Sequence, residues 1–292
     1  MSESPDLAQF LAERPRLRRL AYRMLGSVAE AEDVVQDAWL RWSHTTADVE
    51  DPGAWLVRTT TRLCLDRLRA ARARRAAYRG PWLPEPLIED AATDPVERAE
   101  DVSVAFLLAL ERLSPLERAV FLLHEVFDDD YAAVARALGR SEAAVRQIAR
   151  RAKAHIQAAR PRFALEPDAA DRLVSAFLTA AAGGDVDGLR GLLARDVVML
   201  TDGGGRRSAA LRPLMGAEDV IRLIQGLAWR DQVAGTPPPA VRPARINGLP
   251  GLILAQPDGP TTVALQPDAD GRIVALYLVR NPDKLRHLTP DR

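Results

Sequence analysis

Apolar residues recur every three or four positions from the start of the chain. In LAQFLAERPRLRRLAYRMLG they mark a helix that Gly26 stops. AEAEDVVQDAWLRW restarts the pattern behind Ser27 as an N-cap, and HTTADVEDPG is a loop. A further helix follows Asp51 and Pro52, with Trp55, Leu56, Leu63, Leu65 and Leu68 as its apolar face. Residues 1 to about 78 therefore predict an all-helical module. The pattern breaks in GPWLPEPLIEDAATDP, whose four prolines oppose a continuous helix. This linker holds Trp82, Leu83, Leu87 and Ile88, too apolar for a free tether, so it is expected to dock. Helical spacing resumes near Pro95 and runs to about Phe163.

Beyond FALEPDAADR the period changes. A helix over 171–182 and a GGDVDG turn with a short helix precede the runs DVVML, GLILAQ, TTVALQP and RIVALYLVR. Turn residues separate these strands, which predicts an α+β domain with helices first and an antiparallel sheet after.

The sharpest local pattern lies in SPLERAVFLLHEVFDDDYAAVARALGRSEAAVRQIARRAKAHIQ. Ser114, Pro115 and Glu117 form a capping box. Tyr131 to Leu138 is a short helix, Gly139 the turn, and Ser141 the cap of a second helix that turns Val145 and Ile148 inward. Two helices joined by a glycine turn, the second one basic, match a DNA-reading helix-turn-helix. Ser141, Glu142, Ala143, Arg146 and Gln147 stand where side chains reach base edges; Arg150, Arg151 and Lys153 are placed for phosphate. An ordinary helical hairpin is the alternative.

Composition narrows the class. The 292 residues are 47% apolar and 27% charged, which is globular, and the length suits two or three domains. Cys64 is the only cysteine, so there is no intrachain disulfide and no zinc site of paired thiolates; the four histidines are scattered. No metal and no cofactor is expected. No apolar run reaches transmembrane length and no signal-peptide core follows the start, which predicts a cytoplasmic protein without a membrane partner.

Net charge is zero, but it is segregated. Arg58 to Arg79 holds eight arginines against Asp66, and Arg140 to Arg162 holds seven basic residues against Glu142. Glu30 to Asp51 holds seven acids against Arg41. Two basic helices between acidic surfaces suggest two anionic contacts and a protein partner, although solvated faces that pair with one another give the same counts.

With both helical parts read, the chain resembles the extracytoplasmic-function sigma factors of bacterial RNA polymerase. LAYRMLGSVAEAEDVVQDAWLRW and AWLVRTTTRLCLDRLRAARAR resemble the sigma region-two domain, and LSPLERAVFLLHEVFDDDYAAVARALGRSEAAVRQIARRA the region-four domain. The last part is similar to SnoaL-like folds, through LVSAFLTAAAGGDVDGLRGLLARDVVMLTDGGG and the strand runs. The implied architecture is multidomain: two all-α domains, then an α+β cone-shaped SnoaL-like barrel. Its expected boundaries are 1–78 for region two, 79–100 for the linker, 101–163 for region four and 168–292 for the SnoaL-like domain.

The resemblance also implies roles. Asp33, Gln36, Asp37 and Arg41 would dock on the coiled coil of the largest subunit of core RNA polymerase. The loop His44 to Pro52 would hold a base flipped from the minus-ten element, and some of Arg58, Arg62, Arg67, Arg69 and Arg72 would lie along that promoter DNA. Trp55 is either core or part of the base pocket. The region-four helix would read the minus-thirty-five duplex. WLPEPL at 82–87, DGGG at 202–205 and NPDKL at 281–285 resemble hallmarks of sigma factors with this appended domain, which is thought to tune activity within the chain. Trp82, Leu83 and Pro84 would then pack near the turn Asp202-Gly203-Gly204-Gly205, with Asn281, Pro282 and Asp283 beside it. Such a contact would set the angle between the two DNA-binding domains.

Two other functions compete: a ligand-responsive helix-turn-helix regulator, and an isomerase-like enzyme fused to a DNA-binding module. For the latter Asp202 and Tyr277 are the conceivable polar groups. Met215 and Trp229 are candidates for the wall of a pocket for a small apolar ligand, or for plain core.

Overall fold

The computed structural model describes residues 5–45, 49–89, 103–156 and 166–288. The chain divides into two compact units, residues 1–77 with 105–160, and residues 78–104 with 161–292.

The first unit is helical. Helices α1 (Pro5–Leu25), α2 (Val28–Ser43) and α3 (Pro52–Ala76) pack around Leu17, Leu20, Met24, Val34, Val35, Leu56 and Leu68, all buried. Gly26 takes φ 68°, which ends α1 as its lack of Cβ permits. Ser27 Oγ then accepts from the Glu30 amide at 3.2 Å and starts α2. Asp51 likewise caps α3 through the Ala54 amide at 2.9 Å.

Four shorter helices complete the unit: α4 (Val104–Leu110), α5 (Pro115–Phe121), α6 (Tyr131–Leu138) and α7 (Glu142–Ile156). The expected capping box opens α5, and a π turn over Leu122–Val126 follows it. The segments expected to be helical at 95–102 and 157–163 lie outside the described residues.

The second unit layers three helices, α8 (Pro167–Gly183), α9 (Val186–Leu192) and α10 (Ala217–Val233), on one seven-stranded sheet. The strands are β1 (Ile88–Glu89), β2 (Leu193–Asp202), β3 (Leu214–Met215), β4 (Ala240–Ile246), β5 (Leu249–Gln256), β6 (Gly259–Pro267) and β7 (Ile273–Val279), ordered β1-β4-β5-β6-β7-β2-β3. Val174, Phe177, Leu189, Val220 and Ile221 from the helices meet Val197, Leu252, Val263, Leu265 and Leu276 from the sheet.

Three sequence expectations change here. The sheet is not wholly antiparallel: β2 runs parallel to β7, and the long helix-containing connection between them permits that pairing. β4 was not foreseen, because Pro243 disfavours a strand; its register pairs Pro243 with Leu252 of β5. Helix α10 was also not foreseen. It leaves Trp229 67% exposed, and Met215 on the edge strand β3 is 61% exposed, so neither is core or pocket wall.

β6 is buried on both faces. Val263 and Leu265 face the helical core, while Thr262 and Ala264 lie beneath Leu83, Pro84 and Pro86 of the linker. A sheet face left open by the helices is thus closed by residues 83–86.

Candidate functional site

The helix-turn-helix forms as its sequence dictates. Asp130 Oδ1 caps α6 through the Ala133 amide at 2.6 Å. Gly139 turns the chain at φ 62°, and Ser141 Oγ caps α7 through the Ala144 amide at 3.3 Å. Val145, Ile148, Ala149 and Ala152 are buried. Ser141, Ala143, Arg146, Gln147, Arg150, Arg151 and Lys153 are exposed, and Glu142 is half-buried. Arg146 pairs with Glu142 and lies 5.3 Å from the centre of the Tyr131 ring. Lys153 pairs with Glu125 at 2.8 Å. α7 therefore presents a continuous basic surface on an apolar seat.

On α3, Arg58, Arg62 and Arg69 are exposed, and the Arg72 side chain lies outside the described residues. Arg67 is turned onto α2: its guanidinium donates to Asp37 at 2.9 Å and to Asp33 at 3.4 Å. Burial opposes its charge, but its hydrogen bonds to Asp37 and Asp33, together with their negative charges, outweigh burial and hold its pKa above the ordinary value. Two carboxylates expected to meet a protein partner and one arginine expected to meet DNA thus form one cluster. Gln36 and Arg41 remain exposed on α2. Trp55 is half-buried against Trp42, ring centres 5.4 Å apart.

Within this unit the two helical modules are tied together. The Arg118 side chain on α5, 4% exposed, donates to the Met24 carbonyl at 2.6 Å, the Leu110 carbonyl at 3.0 Å and Glu111 at 2.7 Å. Burial lowers its pKa to about 10, so it stays protonated at neutral pH beside the Glu111 carboxylate. Arg75 on α3 also pairs with Glu111 and donates to the Leu25 carbonyl at 2.9 Å. Arg16 on α1 bonds Asp129 at 2.8 Å.

In the second unit the linker begins at an anchor centred on Asp202, the last residue of β2, whose side chain is fully buried. Oδ1 accepts from the Tyr78 hydroxyl at 2.5 Å and the Gly204 amide at 2.9 Å. Oδ2 accepts from the Leu83 amide at 2.9 Å and Lys284 Nζ at 2.7 Å. Lys284 also donates to the Leu83 carbonyl and sits 4.2 Å from the centre of the Trp82 ring, a cation–π contact. Asn281 Nδ2 donates to the Tyr78 hydroxyl at 2.9 Å, while its Oδ1 accepts the Asp283 amide. Burial first, then the hydrogen bond to Asp202, push the Tyr78 phenol above its ordinary pKa.

The glycines are required by this packing. A Cβ on Gly204, at φ 62°, would stand 2.4 Å from the Asn281 side chain, and one on Gly203 would stand 2.2 Å from the Arg207 carbonyl. Pro282 and Asp283 are exposed; Asp283 meets Arg206 at 3.4 Å and Arg286 at 2.9 Å.

Further along the linker, Leu83, Pro84, Glu85 and Pro86 are buried. Leu83, Pro84, Pro86, Ile246, Thr262 and Tyr277 are among the residues around a cavity of only about 10 Å³, at the lower limit for one water. Leu87 exchanges backbone and side-chain bonds with Asn247, at 2.9 and 3.1 Å. Ile88 and Glu89 then extend the sheet beside β4, and Glu89 accepts from the Gly248 amide at 2.7 Å.

Sequence reading had brought Trp82, Leu83, Asp202 and Asn281 together, and the structure joins them. It had not singled out Tyr78, Lys284, Asn247 or Glu89. The signal for Lys284 was available: it is one of only two lysines among 40 basic residues and stands inside NPDKL. The candidate polar groups for an enzyme are occupied: Tyr277 donates to Gln266 at 2.8 Å, and both oxygens of Asp202 are taken as described. Among the described residues no group of His, Cys, Asp and Glu could hold a metal, and no helix is long and apolar enough to cross a membrane. Cys64 is buried, and burial pushes its thiol far above the ordinary pKa.

Comparison with known proteins fits this geometry. The Sigma-70 region 2 family matches residues 10–74, which spans α1 to α3, and the Sigma-70 region 4 family matches residues 103–156, which spans α4 to α7. The ECF RNA polymerase sigma factor SigJ of Mycobacterium tuberculosis is 40% identical over 290 residues, covering 96% of this chain and 93% of SigJ. This chain belongs to the ECF sigma factors of bacterial RNA polymerase. The crystal structure of M. tuberculosis SigJ superposes with a TM-score of 0.77 at 36% identity, over 98% of this chain and all of that one. A probable ECF sigma factor SigI of the same organism is 36% identical over 191 residues, 63% of this chain and 66% of SigI. As a sigma factor the chain acts in transcription initiation, and its helix-plus-sheet C-terminal domain has the SnoaL-like fold. Sigma factors bind core RNA polymerase and promoter DNA.

Proposed function

We propose that this ECF sigma factor carries its regulator within the same chain, and that docking of the linker on the SnoaL-like domain tunes promoter opening. Residues 1–78 form the minus-ten and polymerase-binding module, 101–163 the minus-thirty-five module, 79–100 the linker and 168–292 the regulatory domain. The observation that carries the reading is the Asp202 anchor. A linker joining two DNA-binding modules has its start held by hydrogen bonds from the Tyr78 hydroxyl and the Leu83 amide to Asp202, a cation–π contact between Trp82 and Lys284, and a buried Leu83. The anchored linker restricts how far the modules part, and a holoenzyme needs them parted along one promoter.

In this reading α7 enters the major groove with Ser141, Glu142, Ala143, Arg146 and Gln147 at base edges, and Arg150, Arg151 and Lys153 on phosphate. Arg58, Arg62 and Arg69 meet the minus-ten strand, and Gln36 and Arg41 the polymerase. Arg67, Asp33 and Asp37 contribute there only by exchanging their mutual bonds for external ones. Against the isomerase-like reading, Asp202 already accepts four bonds, which leaves no carboxylate oxygen there to act as a base. A small apolar ligand is unsupported by the 10 Å³ left under the linker.

The test is run-off transcription with core enzyme, comparing the full chain, a chain ended at Phe163 and Lys284→Ala. A change in promoter output with Lys284→Ala, at unchanged core binding, supports the tuning role. Identical output from all three refutes it.

A further inference from the structure

Beside the anchor, on the other side of the glycine turn, lies a cavity of about 320 Å³ lined by Arg79, Gly203, Gly205, Arg206, Arg207 and Ser208, with Thr201 and Ala209 to Leu211 completing the wall. Three arginines belong to the wall and no acidic residue does. The three arginines differ in what already holds them. Arg207, 7% exposed, is committed to Asp258 and to the Gly259 carbonyl at 3.0 Å. Arg206 has one loose contact, 3.4 Å to Asp283, with both partners well exposed. Arg79 has no ion-pair partner among the described residues. Two arginines with spare donors therefore share a concave site with Ser208 and a glycine backbone that lets a ligand approach closely.

We infer that this cavity is a binding site for a small phosphate-bearing molecule, bridged between Arg79 of the linker and Arg206 of the glycine turn. Guanidinium forks match phosphate oxygens in pairs, and the volume accommodates a diphosphate or a phosphorylated metabolite rather than a bare halide. The two arginines sit on different segments. Arg79 follows Tyr78, which bonds Asp202, and its Cβ lies 3.5 Å from where a Cβ on Gly205 would stand. A bound anion spans linker and turn, so it binds the docked linker better than the released one and shifts the population toward docking by that difference alone. The binding site stands on the cavity itself; only its regulatory consequence rests on the tuning role proposed above.

The experiment uses the full chain. Inorganic diphosphate and inorganic phosphate are titrated calorimetrically, with sodium chloride at matched ionic strength as reference, against wild type, Arg79→Ala, Arg206→Ala and Arg79→Lys. Saturable binding of diphosphate, weakened about tenfold or more in each alanine variant and partly kept by Arg79→Lys, is the expected result. No saturable binding, or equal affinity in all variants, overturns the site. A short DNA duplex added as competitor distinguishes the source of phosphate: displacement of diphosphate by duplex overturns a small-molecule ligand in favour of backbone contact. Hydrogen exchange of residues 78–89 with and without diphosphate reads the coupling, and unchanged protection at saturation overturns it. Transcription insensitive to Lys284→Ala would refute the tuning role while leaving a measured affinity intact.

Discussion

Replacing Asp202 by alanine removes the acceptor of four hydrogen bonds at once. Lys284, whose side chain is 11% exposed, loses its counter-charge, and the Tyr78 hydroxyl and Leu83 amide lose an acceptor. Breaking a buried ion pair from one side costs about 3–5 kcal/mol. The linker can avoid that loss by lifting away, and then it gives up the burial of Leu83, about 1.5–3 kcal/mol. The cheaper course is release of residues 78–83 with the SnoaL-like domain still folded. Leu87, Ile88 and Glu89 are held independently by Asn247 and β4, so they stay. Hydrogen exchange separates the two segments. The Leu83 amide should lose about a hundredfold in protection, equivalent to about 3 kcal/mol, while Leu87 loses less than about tenfold. The double variant Asp202→Ala with Lys284→Met should recover part of the loss, because no unpaired charge remains. Equal loss at Leu83 and Leu87, or a double variant worse than the sum of the singles, would refute the reasoning.

Other consequences follow from the same geometry. Gly204→Ala forces a Cβ into the Asn281 side chain at a positive φ and should release the Tyr78 end of the linker, read as loss of exchange protection at 78–83 but not at 87–89. Arg118→Met should destabilise the helical unit by about 3 kcal/mol in urea unfolding, at the low end for a buried pair because Glu111 keeps Arg75; a loss under about 1 kcal/mol would contradict the pairing. Asp258 is held below the ordinary aspartate pKa, chiefly by hydrogen bonding from Arg207, so its contribution is present above about pH 4 and fades as pH falls further. Because Asp258 is half exposed the effect is small, and Asp258→Asn should lower the melting temperature slightly at pH 7 and remove that part of the acid dependence. On α7, Gln147→Ala should relax base preference at one minus-thirty-five position, whereas Arg150→Ala should weaken all promoters alike and reduce the salt slope by about 1.

What was legible in the sequence tracks how local the determinants are. The capping box at Ser114, the turn at Gly139 and the cap at Ser141 are fixed by neighbours three residues away, and each formed as read. Strands β5, β6 and β7 were likewise marked by turn residues on both sides. The direction of the β2–β7 pairing was not, because alternation says which face is buried and nothing about the partner strand. Met215 and Trp229 show the same limit from the other side. Large apolar residues are more often inside, but an edge strand and the last turns of α10 leave these two in solvent.

The zero net charge conceals the feature that matters most for how this sigma factor works. Segregated charge suggests partners outside the chain, with pairing between segments as the alternative, and a good share is engaged internally: Arg67 with Asp33 and Asp37, Arg75 and Arg118 with Glu111, Lys284 with Asp202. These pairs are not equivalent. Arg67 and its carboxylates are partly exposed, so water can replace either partner and an external ligand can compete at little cost. Arg118 and Asp202 are almost fully buried, and separating them from their partners strands a charge in a place that water does not reach. The exposed cluster therefore suits contacts exchanged on each encounter with polymerase and promoter. Parting the modules takes Arg118 from the Met24 carbonyl and Glu111 from Arg75, and lifting the linker takes the Tyr78 hydroxyl and the Leu83 amide from Asp202; each motion breaks several sheltered bonds together, which suits a discrete transition rather than one by degrees.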